Sequence, residues 1–214
     1  MHDPSYNTEH TWATRLARLR IPVWRALVVG SLLALALGRS AWPLPLLLVM
    51  GVVGVGLAGL ATAGRLWCAL FISGRKTREL VTTGPYAWCR NPLYLFNLVG
   101  MTGIALASGS VTIVALVWLG YAIVYRGVIV HEERDLRHFH GAAFDAYVAK
   151  VPRLIPRGWP EQAAEHARYE AEPRAYARNI ADSVWFPLVA ALFFALAVAK
   201  AKGTLGLGAF FTLA

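Results

Sequence analysis

Charge is scarce in this chain. Only 15% of its 214 residues are Asp, Glu, Lys or Arg, and 57% are apolar. Soluble domains carry about 25% charge and about 45–50% apolar residues. Cysteine is scarcer still: Cys68 and Cys89 are too few for a disulfide framework or a four-cysteine zinc site. The zinc-protease pattern HExxH fails, because position 135 is Asp. His131, His138 and His140 are then read as headgroup-level surface histidines, and no metal site is expected. No GxSxG elbow and no P-loop occur. No cleavable signal peptide is expected: Arg15, Arg18 and Arg20 lead into an apolar run without a clear small-residue cleavage site.

What is present is a series of apolar runs near the ~20 residues needed to cross a bilayer. Mean hydropathy is +0.49. The fold class that follows is all-α, a polytopic membrane helix bundle of about five spans. Residues 1–20 read as a basic arm with an interfacial helix near Trp12. Residues 21–156 read as a membrane core with spans at 21–37, 43–63, 92–107 and 111–130. Residues 157–214 read as a polar helix broken near Pro173, a further span at 183–199 and an apolar tail. With the amino terminus inside, only Arg39, Lys200 and Lys202 of the 21 Lys and Arg face outward. The positive-inside rule favours that orientation. The net charge of +9 is thereby assigned to membrane flanks and anionic headgroups, with no nucleic-acid partner. The protein reads as a multi-pass protein of a bacterial-type inner membrane.

Gly54-Val55-Gly56-Leu57-Ala58-Gly59 matches the dinucleotide fingerprint GxGxxG. That fingerprint requires a strand before it and a helix after it. Here it lies inside a continuous apolar segment, so the glycines read as helix-packing residues and no Rossmann domain is expected.

Two polar stretches flank the apolar hairpin of residues 92–130. The first is Gly84-Pro85-Tyr86-Ala87-Trp88-Cys89-Arg90-Asn91-Pro92-Leu93-Tyr94. Arg90 and Asn91 precede a helix whose amino-terminal N–H groups suit an anion, and Arg90 can fork onto a carboxylate. Tyr86, Trp88 and Tyr94 can stack on a flat ring; the plainer reading is an aromatic, basic membrane entry. The second is Glu132-Glu133-Arg134-Asp135-Leu136, followed by Tyr147 and Val151-Pro152-Arg153-Leu154-Ile155-Pro156. Adjacent carboxylates at a helix carboxy terminus oppose the helix dipole and need a reason. Binding a cationic or hydroxyl-bearing ligand is one; pairing with Arg126, Arg134 or Arg137 is the other. If the hairpin closes, both stretches meet at one membrane face.

In order and spacing, Gly-Pro-Tyr-x-x-x-Arg-Asn-Pro-x-Tyr, the hairpin, Glu-Glu-x-x-Leu, Tyr and Val-Pro-Arg-x-x-Pro resemble the isoprenylcysteine carboxyl methyltransferases and the related phospholipid methyltransferases. The resemblance covers Gly84 to Pro156. It departs from the family's pattern at Asn91, where His is frequent, and at Phe144, where Tyr is usual. It implies an S-adenosylmethionine-dependent membrane methyltransferase, with S-adenosylhomocysteine as product and a cytoplasm-facing cofactor site enclosed by the helices. The acceptor is a lipid-like or prenylated molecule entering from the bilayer, so membrane lipids are its partners. The candidate catalytic residues are Glu132, Glu133 and Arg90. The candidate cofactor-binding residues are Tyr86, Arg90, Asn91, Pro92, Tyr94, Glu133, Tyr147 and Arg153. Glu132 or Glu133 could take the cofactor's amino group or ribose, and Arg90 or Arg153 its carboxylate. Adjacent helical residues point about 100° apart, so the two glutamates are expected to differ. Glu133, one turn before Arg137, is expected to be held by it and to be the more sensitive. A membrane NADPH-dependent sterol-type reductase and a non-enzymatic scaffold are the other classes.

The charge distribution predicts a topology that cysteine labelling checks. A cysteine at Gly74 should be shielded from an impermeant outer-face reagent, and a tag after Ala214 should report outside. Labelling at position 74 from the outer face overturns the orientation.

Overall fold

The computed structural model describes residues 26, 28–35, 37–74, 79–158, 171–203 and 211–213. The arm at 1–20, the loop at 75–78, the polar segment at 159–170 and the tail at 204–210 lie outside the described residues. The elements are α1 (residues 28–35), β1 (Gly38–Ser40), α2 (Leu44–Ile72), α3 (Pro85–Trp88), α4 (Pro92–Ala107), α5 (Val111–His140), α6 (Ala142–Lys150), α7 (Pro173–Ala201) and β2 (Phe211–Leu213). The helical bundle matches the all-α expectation. Beside it lies one three-residue parallel pair, β1 with β2, in register Gly38 to Phe211.

Two helices run past their predicted bounds, and a third ends where expected. The span expected at 43–63 extends to Ile72 and takes Arg65 inside α2. The helix of the span at 111–130, expected to carry Glu132, Glu133 and Leu136 beyond the membrane as far as Gly141, continues to His140, and Gly141 ends it at a positive φ of 49°. The span expected at 183–199 begins at Pro173, at the start of α7. Proline is tolerated in a first turn, where its missing N–H has no intrahelical partner. The residue read as a break is therefore a beginning. α2, α5 and α7 are each long and apolar enough to cross a membrane; α4 is apolar but has 16 residues.

α4 packs on α2 and α7, α5 packs on α4, and α6 folds back on α5. The side chains are arranged as lipid demands. Ala58, Ala61 and Ala190 are fully buried, whereas Val52, Leu60, Leu119, Ile123 and Leu188 face outward. Bilayer hydrocarbon gives no hydrophobic drive for burying large side chains, so small residues mark the seams. At Gly54 the seam is backbone against backbone. A Cβ there would stand 2.5 Å from the Gly103 carbonyl and 2.6 Å from the Ala107 nitrogen. Gly56 and Gly59, the other glycines of the rejected fingerprint, face open space. The packing reading therefore holds at Gly54 and not at its companions.

Gly54→Ala should destabilise the protein by about 1–3 kcal/mol, the usual cost of overpacking, because backbone cannot rotate away. Gly56→Ala should be neutral or slightly stabilising, since alanine is the better helix former. Thermal unfolding in detergent reads both. Equal shifts for the two variants overturn the seam.

Candidate functional site

The α4–α5 hairpin turns at Ser108-Gly109-Ser110, where the Ser110 hydroxyl caps α5 by accepting from the Ile113 N–H at 3.2 Å. The turn returns the chain along α4, so the carboxy-terminal part of α5 stands beside the amino terminus of α4. The two polar stretches do meet. On the first, Gly84 holds φ +59°, and a Cβ there would lie 2.2 Å from the Phe71 ring, which explains the glycine.

Glu133 is the centre of the meeting. Its Oε1 accepts from Arg90 Nε at 3.0 Å and from Asn91 Nδ2 at 3.1 Å. Its Oε2 accepts from Arg153 Nε at 3.0 Å and lies 2.8 Å from Arg153 Nη2. Only 7% of Glu133 is exposed. Arg90 is tied further. Its Nη1 donates to the carbonyls of Val151 at 2.7 Å and Val148 at 3.3 Å, at the end of α6. A cation there also meets the negative end of the helix dipole. The Arg90 N–H donates to the Pro152 carbonyl at 2.8 Å, and Asn91 Nδ2 donates to the Arg153 carbonyl at 3.0 Å. The motif before α4 and the Val-Pro-Arg segment are thus stitched together around one carboxylate.

One expectation changes here. Arg137 does not hold Glu133; it pairs with the exposed Asp145 at 2.7 Å. The helical offset between the glutamates is present, and it separates their surroundings. Glu133 faces the two arginines, whereas Glu132 lines a cavity of about 1080 Å³.

That cavity gathers most of the remaining predicted residues. Tyr86, Arg90, Asn91, Pro92, Tyr94 and Tyr147 line it; Glu133 and Arg153 do not. Tyr147 donates its hydroxyl to the Tyr86 carbonyl at 2.6 Å. The Tyr86 hydroxyl is buried and has no hydrogen-bond partner among the described residues. Burial pushes the hydroxyls of Tyr86 and Tyr147 well above their usual range, so both remain protonated donors. Burial likewise pushes the Cys89 thiol up to about 11, which leaves it an inert structural residue at neutral pH. Tyr94 lies edge-on to Tyr125 at 5.2 Å, and Tyr121 donates to the Tyr94 carbonyl at 2.8 Å.

Other lining residues escape the motif reading. Asp135 and Phe139 continue the Glu132 side of α5, and Arg65, Asn97 and Asn179 lie on α2, α4 and α7. Their signal in the sequence is isolation: Arg65 and Asn97 are polar residues within apolar runs. Among the described residues, no three His, Cys, Asp or Glu side chains form a metal-binding group; His131 and Asp135 come within 3.6 Å as a pair.

Comparison with known proteins bears on this arrangement. The model of the phospholipid methyltransferase family matches residues 46–143. The chain is 43% identical over 176 residues to the nickel-cobalt-cadmium resistance protein NccN of Alcaligenes xylosoxydans xylosoxydans, covering 80% of this chain and 79% of that protein. It is 42% identical over 175 residues to the cobalt-zinc-cadmium resistance protein CzcN of Cupriavidus metallidurans, covering 80% and 78%. No solved structure matches with significance.

The geometry predicts different failures for the two glutamates. Glu133→Ala leaves Arg90 buried without its carboxylate and should cost about 3–5 kcal/mol, as removal of one partner from a buried ion pair does. Glu132→Gln should leave the unfolding temperature near wild type. Thermal unfolding of both variants at matched detergent concentration decides, and similar stability in both overturns the central role of Glu133.

Proposed function

The chain belongs to the phospholipid methyltransferase family, and from that premise we propose that it is an S-adenosylmethionine-dependent methyltransferase acting on a lipid-like acceptor. The observation that carries the proposal is the form of the cavity. One end is polar, with Glu132, Tyr86 and Asn91; the rest runs along α4, α5 and α7, where apolar side chains such as Met101, Val117 and Val189 surround a second polar group, Arg65, Asn97 and Asn179.

The donor set fits the cofactor. S-adenosylmethionine bears a sulfonium, an ammonium and ribose hydroxyls, which suit a carboxylate and a hydrogen-bonding phenol. Glu132 would hold the ammonium or the ribose, and the buried Tyr86 hydroxyl has its hydrogen-bonding capacity available for the same ligand. Tyr94 and Tyr147 would flank it. When bound, the cofactor supplies a methyl group already activated by its sulfonium. The protein's part is therefore positioning and exclusion of water. Arg90, Asn91, Glu133 and Arg153 act as positioning residues: their mutual bonds fix the loop and the helix start that frame the polar end. A carboxylate acceptor would need no general base, whereas an amine or thiol would first lose a proton. The acceptor enters from the bilayer, and the polar end faces the cytoplasm, where the cofactor is made available. The location in an inner membrane follows the same charge argument as the topology.

Calorimetry with S-adenosylhomocysteine on detergent-solubilised protein tests the reading. The wild type should bind it and not NADPH. Glu132→Gln should weaken binding by roughly 10- to 150-fold, the equivalent of losing a charged hydrogen bond of about 1.5–3 kcal/mol. Labelled methyl from S-adenosylmethionine should appear in extracted lipids. Binding of NADPH in place of S-adenosylhomocysteine would favour the reductase class, and binding of neither would favour a scaffold.

A further inference from the structure

A second, smaller cavity of about 230 Å³ lies at the end of α6. Four cations line it: Arg90, Lys150, Arg153 and Arg157. Among the described residues one carboxylate meets them, Glu133, which pairs with Arg90 and Arg153. The Lys150 and Arg157 side chains are exposed and have no ion pair among the described residues. The pocket therefore carries a surplus of positive charge. The carbonyls of Val148 and Val151, at the negative end of α6, would repel an anion, but Arg90 Nη1 donates to both. The depth of the pocket follows from its neighbours. The apolar part of α5 ends at Val130, and Glu133, gripped by Arg90 and Arg153, stands just beyond it. Leu154 packs on the cluster of Tyr94, Tyr121, Val128 and Ile129 between α4 and α5. Exposure then alternates along the segment: Arg153, Ile155 and Arg157 are exposed, whereas Pro152, Leu154 and Pro156 are partly buried. Ile155 is 75% exposed. An apolar tip between two cations, where a span turns polar, suits the membrane interface: the tip reaches the acyl boundary and the cations reach the phosphates.

We infer that this pocket binds the phosphate of an anionic phospholipid, and that the bound lipid steadies the Glu133 frame through Arg153. The lipid is a component of the surrounding leaflet and not the molecule methylated. The pocket is separate from the large cavity and shares only Arg90 with it, so the inference stands apart from the methyltransferase reading. Guanidinium groups match phosphate oxygens in pairs, and Lys150 adds a point charge. A zwitterionic lipid offers the same phosphate but brings a quaternary ammonium. The pocket has no carboxylate oxygen for it, because both oxygens of Glu133 are taken. Arg153 is the link to the bundle. Its Nε and Nη2 hold Glu133 Oε2, while 55% of its side chain is exposed. A guanidinium has five N–H donors. Arg153 can therefore donate outward to a phosphate and keep Glu133, so the lipid adds to that bond and does not replace it.

The experiment uses the full chain, delipidated, in maltoside micelles at high salt, where diffuse surface attraction is screened. Native mass spectrometry counts retained lipid, and thermal unfolding reads the frame. One dioleoylphosphatidylglycerol should be retained per chain and should raise the unfolding temperature. Dioleoylphosphatidylcholine at equal mole fraction should do neither. Lys150→Gln combined with Arg157→Gln should weaken retention roughly tenfold or more and abolish the gain in unfolding temperature. Ile155→Ser should weaken retention severalfold. Arg174→Gln combined with Arg178→Gln removes the same charge from an exposed stretch of α7 outside the pocket and should change neither readout. Equal retention of phosphatidylcholine, equal loss in the α7 pair, or retention indifferent to the Lys150 and Arg157 pair overturns the site. Displacement of the lipid by inorganic phosphate at equal concentration overturns its assignment to a phospholipid, and retention without a rise in unfolding temperature overturns the role of Arg153. If the Lys150 and Arg157 pair unfolds without lipid, the two single variants decide: unchanged retention in both overturns the site.

Discussion

A buried carboxylate has to be compensated, and in this protein that requirement organises everything at one end of the bundle. Glu133 receives donors from Arg90, Asn91 and Arg153, which belong to segments far apart in the chain. Leaving Glu133 or Arg90 alone in this water-poor site would cost several kcal/mol, whereas Arg153 reaches in from solvent. The start of α4, the upper part of α5 and the segment after α6 are therefore stable only together. Residues that belong to two separate polar stretches in the chain are, in the fold, partners of one another. On the proposed function, the ligand-facing role would fall to their neighbours Glu132 and Tyr86.

The polar interior continues below that end. Arg65 and Asn97 would be unfavourable against lipid, and the fold turns them into a cavity and fixes them through Ser183. The bundle can do this because its seams are made of glycine and alanine. Gly54 and Gly103 bring α2 and α4 into backbone contact, while Phe186 and Phe193 of α7 fill the core beside them.

Much of this was legible in the chain. Apolar runs and punctuating Pro and Gly marked the helices, and the spacing of the polar stretches marked the hairpin that joins them. Helix ends were less legible: the apolar run marks a span ending at residue 63, whereas α2 continues through Arg65 to Ile72. Pro173 looked like a break because the chain does not reveal whether a proline stands inside a helix or at its first turn. The partner of Glu133 was misread for a related reason. Helical spacing offers Arg137 as a neighbour, but the long-range partners Arg90 and Arg153 are closer competitors, and only the tertiary fold brings them in. The Arg65 cluster spans α2, α4 and α7, and no local pattern announces such a convergence.

The length of α4 has a consequence for the surrounding bilayer. Its 16 residues rise about 24 Å, short of the ~30 Å hydrocarbon core that its longer neighbours can span. Lipids beside α4 must thin, or the polar residues at its start must lie beneath the headgroup plane. Either response shortens the distance between an acyl-chain-anchored molecule and the Glu132 end of the cavity. The mismatch makes membrane thickness itself a variable of the protein's environment: a thicker bilayer would strain the α4 face, and a thinner one would relax it.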